Sequence, residues 1–269
     1  KGEELDLEEK DNSLIIRTEH KPEAKEIEVD FSALDCMLGR ALGGIYKAGY
    51  ARAKIHFRTK EQLTTIEQTL QRTLVGFEIV KQEKNYILIE SLAEIQAKEF
   101  DASLKRLFYS LEMMHENLAF ALASKDASAL QDVIEKDGHI NRLADFCRRV
   151  INSGETQLLK KSAVLYYIVE QLERIGDIYK DIARFALDKK SLFSREALVL
   201  FQEIQTLFIQ YRMLFYKFDL EHFESFGESF YALRKKVEEY SSSPTVFFPL
   251  LHLLETIVDM NGALLTFHL

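Results

Sequence analysis

Two six-residue segments near the end of the chain are variants of one pattern, and they constrain the fold more than any other feature. Residues 172–177 read LERIGD and residues 254–259 read LETIVD. In each segment a Glu precedes an Asp by four positions, with Leu and Ile beside them. On a helix the two carboxylates therefore share one face next to an apolar stripe. The recurrence predicts an internally duplicated helical domain.

The composition supports a mainly helical protein with a packed core. The chain of 269 residues has only 3 Pro and 11 Gly, and 47% of its residues are hydrophobic. The net charge of −8 gives no indication of the positively charged surface by which proteins bind nucleic acid. Cys36 and Cys147 are expected to be reduced thiols of a cytoplasmic protein rather than a disulfide. No apolar run approaches the roughly 18 residues of a membrane span, so none is expected.

The hydrophobic periodicity divides the chain into four parts. Residues 1–20 have the pattern of a β-hairpin fragment with an Asp-Asn turn. Residues 25–95 alternate as β-α-β-α-β-β, which predicts a small α/β domain. Residues 97–188 and 191–269 each contain three amphipathic helices joined by short polar turns. The predicted fold is thus mainly α: two tandem three-helix bundles preceded by the small α/β domain and the hairpin fragment.

Capping residues set the expected ends of the long helices. Asp126, Ser191 or Ser194, and Asp219 are predicted N-caps. The last helix is predicted to run unbroken from Thr245 to the C-terminus. In the α/β part, Gly49 and Gly76 are predicted to end the two helices.

The paired carboxylates of the first motif are the main candidate site. Glu173 and Asp177 lie one helical turn apart, and Asp181 extends the row. They could form a solvated acidic face, or pair with arginines of the preceding helix at positions 142, 148 and 149. Alternatively they could bind a metal, since hard cations and iron take carboxylate oxygens from facing helices of a bundle. Arg174 is expected to pair with Glu170, one turn away.

A metal site would need matching acids on a second helix. The preceding helix offers Glu135 and Asp137, with Asn141 where another Asp would strengthen the set. In the second half, Glu255 and Asp259 are the equivalent candidates. The matching helix there has only one acid, Glu228, near the corresponding turn.

No catalytic motif is evident, and an enzyme is not expected. The sequence has no Ser-His-Asp or Cys-His arrangement and no phosphate-binding loop. His115, His139, His222 and His252 lack the spacing of a helical metal site.

The first motif and its surroundings resemble the signature of PhoU proteins, the phosphate-uptake regulators. LERIGD followed by IYKDIA at 178–183 is similar to the typical form LERIGDxxxxIA, and residues 132–143 resemble the preceding helix. The resemblance is clear over about 98–188 and weak over 192–269. It implies two three-helix bundles, each able to carry carboxylate-bound iron or zinc. The candidate metal ligands are Glu135, Asp137, Glu173, Asp177, Asp181, Glu255 and Asp259.

The N-terminal part is similar to an archaeal-type PhoU architecture, in which an AbrB-like swapped hairpin that binds DNA precedes the bundles. Residues 1–16 resemble the second half of that hairpin, and its basic first half is absent. The resemblance implies a cytoplasmic homodimer that contacts the phosphate ABC transporter ATPase or a signalling protein, and DNA when the hairpin is complete. Two alternatives stay open: a regulator that acts through DNA alone, and a carboxylate-bridged di-metal oxidase, which requires about four acids and two His.

Overall fold

The computed structural model describes residues 5–10, 13–18, 25–92, 98–153, 161–189 and 193–269. The N-terminal elements are β1 (Leu5–Lys10), β2 (Ser13–Thr18), β3 (Glu26–Asp30), α1 (Leu38–Lys47), β4 (Arg52–His56), α2 (Lys60–Arg72), β5 (Phe77–Gln82) and β6 (Tyr86–Ser91). The helical part consists of α3 (Lys98–Ser124), α4 (Ala127–Asn152), α5 (Ser162–Lys189), α6 (Arg195–Tyr216), α7 (Leu220–Glu238), α8 (Pro244–Asp259) and α9 (Asn261–His268). The fold is mainly α with a small α/β part, as the sequence predicted.

The α/β part is a sheet with two helices and its own core. The four strands lie in the order β3-β4-β6-β5, with β3 and β4 parallel and the other pairs antiparallel. In β4 the side chains of Ala53 and Ile55 are fully buried, whereas their neighbours along the strand are half-buried. This alternation puts one face of the sheet against α1 and α2. Strands β1 and β2 form a separate antiparallel pair; the predicted Asp-Asn turn between them lies outside the described residues.

The helical part consists of two three-helix units that share one core. Helices α3, α4 and α5 contact one another, as do α6, α7 and α8. Between the units, α3 contacts α6, and α5 contacts α8 and α9. A single apolar cluster runs from Phe100 in α3 to Leu264 in α9.

Three of the predicted caps are present, and two predicted helix ends are wrong. The side chains of Asp126, Ser194 and Asp219 each accept a hydrogen bond from a backbone N–H in the first turn of the helix that follows. The last helix does not run unbroken, because it breaks at Met260 into α8 and α9. The break lets α9 return against α5 and α8. Helix α2 ends at Arg72, and Gly76, at φ +80°, forms the turn before β5.

Arg149 joins the α/β part to the helical part. Its side chain is buried, and its Nη1 donates to the carbonyl oxygens of Tyr46 and Tyr50, each at 2.8 Å. The guanidinium also stacks on the rings of Tyr46 and Phe77, 4.8 and 4.7 Å from their centroids. Burial lowers the pKa of Arg149 to about 10, so it stays charged at neutral pH.

The close approach of the two parts also explains Gly49. Its φ of +83° favours glycine, and a Cβ there would lie 3.1 Å from the carbonyl oxygen of Asn152. The Asn152 side chain donates to the Lys47 carbonyl at 2.8 Å. The loop after α1 is therefore fixed against the end of α4.

One segment, Pro244–His268, is long and apolar enough to cross a membrane by length and composition, with a window mean hydropathy of 1.2. The core helix of a soluble protein has the same composition. In this fold Leu250, Leu253, Leu254 and Ile257 of that segment are fully buried in the shared core.

His115 is a buried histidine between the two helical units, and it makes stability depend on pH. Its ring stacks on Phe201 at a centroid distance of 3.8 Å, and its Nδ1 lies 3.1 Å from the Tyr179 hydroxyl. Burial lowers its pKa to about 3. The unfolded chain therefore binds a proton below about pH 6.5 that the folded chain does not.

We expect the free energy of unfolding to fall by up to about 1.4 kcal/mol per pH unit from about pH 6.5 towards pH 3 because of this residue. Urea unfolding of the wild type and His115→Phe at pH 7, 6, 5 and 4.5 would measure it. Other titrating groups are common to both proteins, so the difference isolates His115. Parallel pH profiles would contradict the prediction.

Candidate functional site

The two repeated motifs face each other across one groove between α5 and α8. The groove has a volume of about 410 Å³. It is lined by Glu170, Gln171, Glu173, Arg174, Asp177, His252, Glu255, Thr256 and Asp259. The sequence suggested an equivalent site in each half. The structure instead brings the motif carboxylates of both halves to a single surface, which we call the motif groove.

Arg148 supports the first-motif side of the groove from beneath. It is fully buried, and its guanidinium makes ion pairs with three carboxylates: Asp145 at 2.8 Å, Glu170 at 2.6 Å, and Glu173. Burial raises the pKa of Asp145, although Lys47 and Arg148 oppose that shift. The helical spacing predicted a pair between Glu170 and Arg174. In the structure Glu170 pairs with Arg148 instead.

Lys180 links the two helices that were expected to share a metal. Its Nζ donates to Asp137 of α4 at 2.9 Å and to Asp177 of α5. Burial lowers the pKa of Lys180, but the hydrogen bonds to the two carboxylates outweigh burial, and the net shift is upward. Asn141 donates to the same Asp137 oxygen at 3.1 Å. Asp137 is thus the cross-helix partner of Asp177 through an ammonium group.

The second-motif side of the groove is less tightly paired. Glu255 lies 3.3 Å from the Arg234 Nε, and both side chains are partly exposed. Asp259 lines the groove with no ion-pair partner in the described part of the chain. Arg174 lies 3.4 Å from His252 Nε2 rather than beside a carboxylate. Burial and the charge of Arg174 lower the pKa of His252.

Two of the predicted site residues lie outside the groove. Glu135 is exposed on α4 and accepts a hydrogen bond from Gln131 at 3.1 Å. Asp181 is exposed, pairs with Arg184 at 3.8 Å, and lines a neighbouring apolar cleft. The bridge that Lys180 forms was not predicted from the sequence, although the position of Lys180 three residues after Asp177 was a usable signal.

The donor set does not fit a bound iron or zinc ion in this arrangement. No three His, Cys, Asp or Glu side chains converge as metal ligands within the described ranges. Glu173 is engaged by Arg148, and Asp137 and Asp177 are engaged by Lys180. A cation bound to these carboxylates would have to compete with charges that the protein already supplies.

The glycine of LERIGD lets α4 and α5 approach closely enough for these contacts. A Cβ built on Gly176 would lie 2.9 Å from Cγ2 of Ile140, a stiff branched side chain. At the corresponding position the second motif has Val258, which is only partly buried.

We expect Gly176→Val to destabilise the protein by about 1–3 kcal/mol, because overpacking would force the two helices apart. Urea unfolding followed by circular dichroism would measure the loss. Gly262→Val is a suitable control, since nothing lies within 4 Å of a Cβ at that helical glycine. Equal effects of the two changes would exclude close packing as the cause.

Residues 104–186 match the family model of the PhoU domain. The matched region covers most of α3, all of α4 and most of α5, and it contains the first motif. No curated protein and no solved structure matches the chain.

Proposed function

We propose that this chain, whose residues 104–186 match the PhoU domain, is a phosphate homeostasis regulator of the PhoU family that regulates phosphate uptake by protein–protein contact. The partner in this proposal is the phosphate ABC transporter ATPase or a signalling protein. The proposed regulator is a cytoplasmic, non-enzymatic homodimer.

We propose the motif groove as the surface that contacts the partner. Five carboxylates line it, from Glu170, Glu173, Asp177, Glu255 and Asp259, whereas Arg174 is the one Lys or Arg among the described lining residues. Arg148 and Lys180 hold three of these carboxylates in fixed positions. A preorganised acidic groove suits a partner segment that carries Lys or Arg, because charge complementarity steers association and fixes register.

An affinity pull-down from the native cells, under phosphate excess and under starvation, would test the proposal when read by mass spectrometry. We expect a phosphate-transporter ATPase or a signalling protein to be recovered in a phosphate-dependent way. Asp259→Asn combined with Glu255→Gln should reduce recovery, whereas Glu135→Gln on the exposed face of α4 should not. Recovery of neither class of partner under either condition would refute direct contact.

A DNA-binding regulator is the second candidate function, and the observation that favours it is the pairing of the described strands β1 and β2. The two strands pair antiparallel, with Lys10 opposite Ser13. This pairing is compatible with one half of the AbrB-like module that the sequence resembles. Retardation of operator DNA by the protein with the basic half of the hairpin present, lost on truncation to Lys1, would favour it. The di-metal oxidase ranks last, because the described residues do not bring the required acids and His together.

Because the Lys180 ammonium already pairs with Asp137 and Asp177, we propose that it blocks metal binding by the predicted ligands, and replacing it offers a direct test. We expect the wild type to retain little iron or zinc after loading and dialysis, and Lys180→Met to retain more, because the ammonium no longer occupies the site between Asp137 and Asp177. Metal analysis per chain would measure this. Lys136→Met on the exposed surface is the control, and a stoichiometric ion in the wild type would show that Lys180 does not block binding.

A further inference from the structure

A second cleft lies where the α/β part meets the first helical unit, away from the motif groove. Its volume is about 600 Å³, within the range of small-molecule pockets. Val75, just after α2, forms one wall. Helices α3 and α4 form the others, with Glu99, Ala102, Ser103 and Arg106 on α3 and His139, Arg142, Leu143 and Phe146 on α4.

Two arginines enter this cleft from facing helices, and neither forms an ion pair with a carboxylate among the described residues. Arg106 is exposed on α3 and has no polar partner in the described part of the chain. Arg142 on α4 makes only a long contact, 3.4 Å from its Nη1 to the Arg72 carbonyl oxygen. Burial and the charge of Arg142 both lower the pKa of His139 beside them. Glu99 is the one carboxylate among the described lining residues, so the two arginines leave the cleft with an excess of one positive charge in a chain whose net charge is −8.

The rest of the lining is apolar and reaches both parts of the protein. Leu143 and Phe146 are partly buried, and the Val75 side chain is 50% exposed. An exposed valine beside an apolar surface on a second domain leaves apolar area open to water. A ligand with an apolar body would cover that area, while a phosphate group would satisfy the two guanidinium groups.

We propose that this cleft binds a small phosphorylated molecule with an apolar body, of the mononucleotide class. The two arginines hold the phosphate, and the wall of Val75, Leu143 and Phe146 receives the base. Ser103, which is 6% exposed, adds a hydroxyl on the α3 side. Bound there, the ligand contacts both the α/β part and the helical part, which makes it a bridge between them. The site is independent of the partner contact at the motif groove.

Isothermal titration of the purified chain with AMP, adenosine and inorganic phosphate tests the proposal without any partner protein. We expect one AMP per chain, with adenosine and inorganic phosphate each binding at least tenfold more weakly. Arg106→Gln should weaken AMP binding by roughly tenfold or more, the equivalent of losing one charge-assisted hydrogen bond. Arg195→Gln, an exposed arginine at the start of α6, is the matched control and should leave binding unchanged.

Arg106 is the decisive position because it makes no polar contact with the described residues that folding would need. Arg142→Gln should weaken binding similarly, but its contact with α2 could also affect docking of the α/β part. Absence of AMP binding at millimolar concentration would overturn the proposal. If inorganic phosphate bound as tightly as AMP, the proposed contact between the base and the apolar wall would be wrong. If Arg106→Gln left AMP binding unchanged, AMP would bind outside this cleft and the proposal would be wrong.

Discussion

Replacing Arg148 by methionine is expected to destabilise the helical part by about 3–5 kcal/mol. The side chain is fully buried and is the shared counter-ion of Asp145, Glu170 and Glu173. Removing one member of a buried ionic cluster leaves the other charges uncompensated, and the cost exceeds that of an exposed pair. Urea unfolding followed by far-UV circular dichroism would measure the loss.

The pH dependence distinguishes lost charge compensation from lost packing. Without Arg148, burial raises the pKa of Asp145 further, so the folded chain binds a proton more readily than the unfolded chain. Stability of Arg148→Met should therefore fall as pH rises through the acidic range and recover, relative to wild type, as pH falls towards about 4. Arg184→Met removes an exposed arginine paired with Asp181 and should cost no more than about 1 kcal/mol. A deficit in Arg148→Met that does not change with pH would indicate packing alone.

Replacing Arg149 by leucine should uncouple the α/β part from the helical part. The variant loses two hydrogen bonds to the carbonyls of Tyr46 and Tyr50, and stacking on Tyr46 and Phe77. Hydrogen bonds from a charged donor contribute about 1.5–3 kcal/mol each, so we expect at least about 3 kcal/mol of lost coupling. The two parts have separate apolar cores and should then melt in two transitions in calorimetry.

Asn152→Ala provides a graded comparison for that result. It removes a single neutral hydrogen bond to the Lys47 carbonyl in the same interface. We expect it to weaken docking by only about 1 kcal/mol and to keep the melting profile closer to that of the wild type. If Arg149→Leu melted in the same way as Asn152→Ala, Arg149 would not be the main link between the two parts.

Local patterns in the sequence predicted most of the fold. The strand pattern at residues 51–57 and the helical spacing of Leu38, Leu42 and Ile45 predicted β4 and α1, which the structure places at Arg52–His56 and Leu38–Lys47. Asp126 and Asp219 predicted the starts of α4 and α7, since an N-cap depends only on its own side chain and the turn that follows. The break at Met260 was missed because tertiary contacts fix it: the Tyr211 hydroxyl donates to the Met260 carbonyl at 3.4 Å, and α9 lies against α5.

The candidate site was only partly predictable. The four-residue spacing put Glu173 and Asp177 on one face, and the neighbouring helix was expected to contribute Asp137 and arginines. The meeting of Asp177 with Asp259 in one groove depends on how the two helical units pack, which no local periodicity encodes. Arg148 and Arg149 are consecutive charged residues, and composition alone favours exposure for both. Their burial follows from carboxylates and carbonyls that are far away in sequence.

The contacts between the two helical units pair equivalent helices. The first helix of one unit, α3, meets the first of the other, α6, and the third helix α5 meets the third, α8. Contact of like with like is the mark of an isologous interface, the kind that two identical subunits form about a two-fold axis. In such an interface each subunit would supply one acidic motif to a shared groove, as each helical unit does within this single chain.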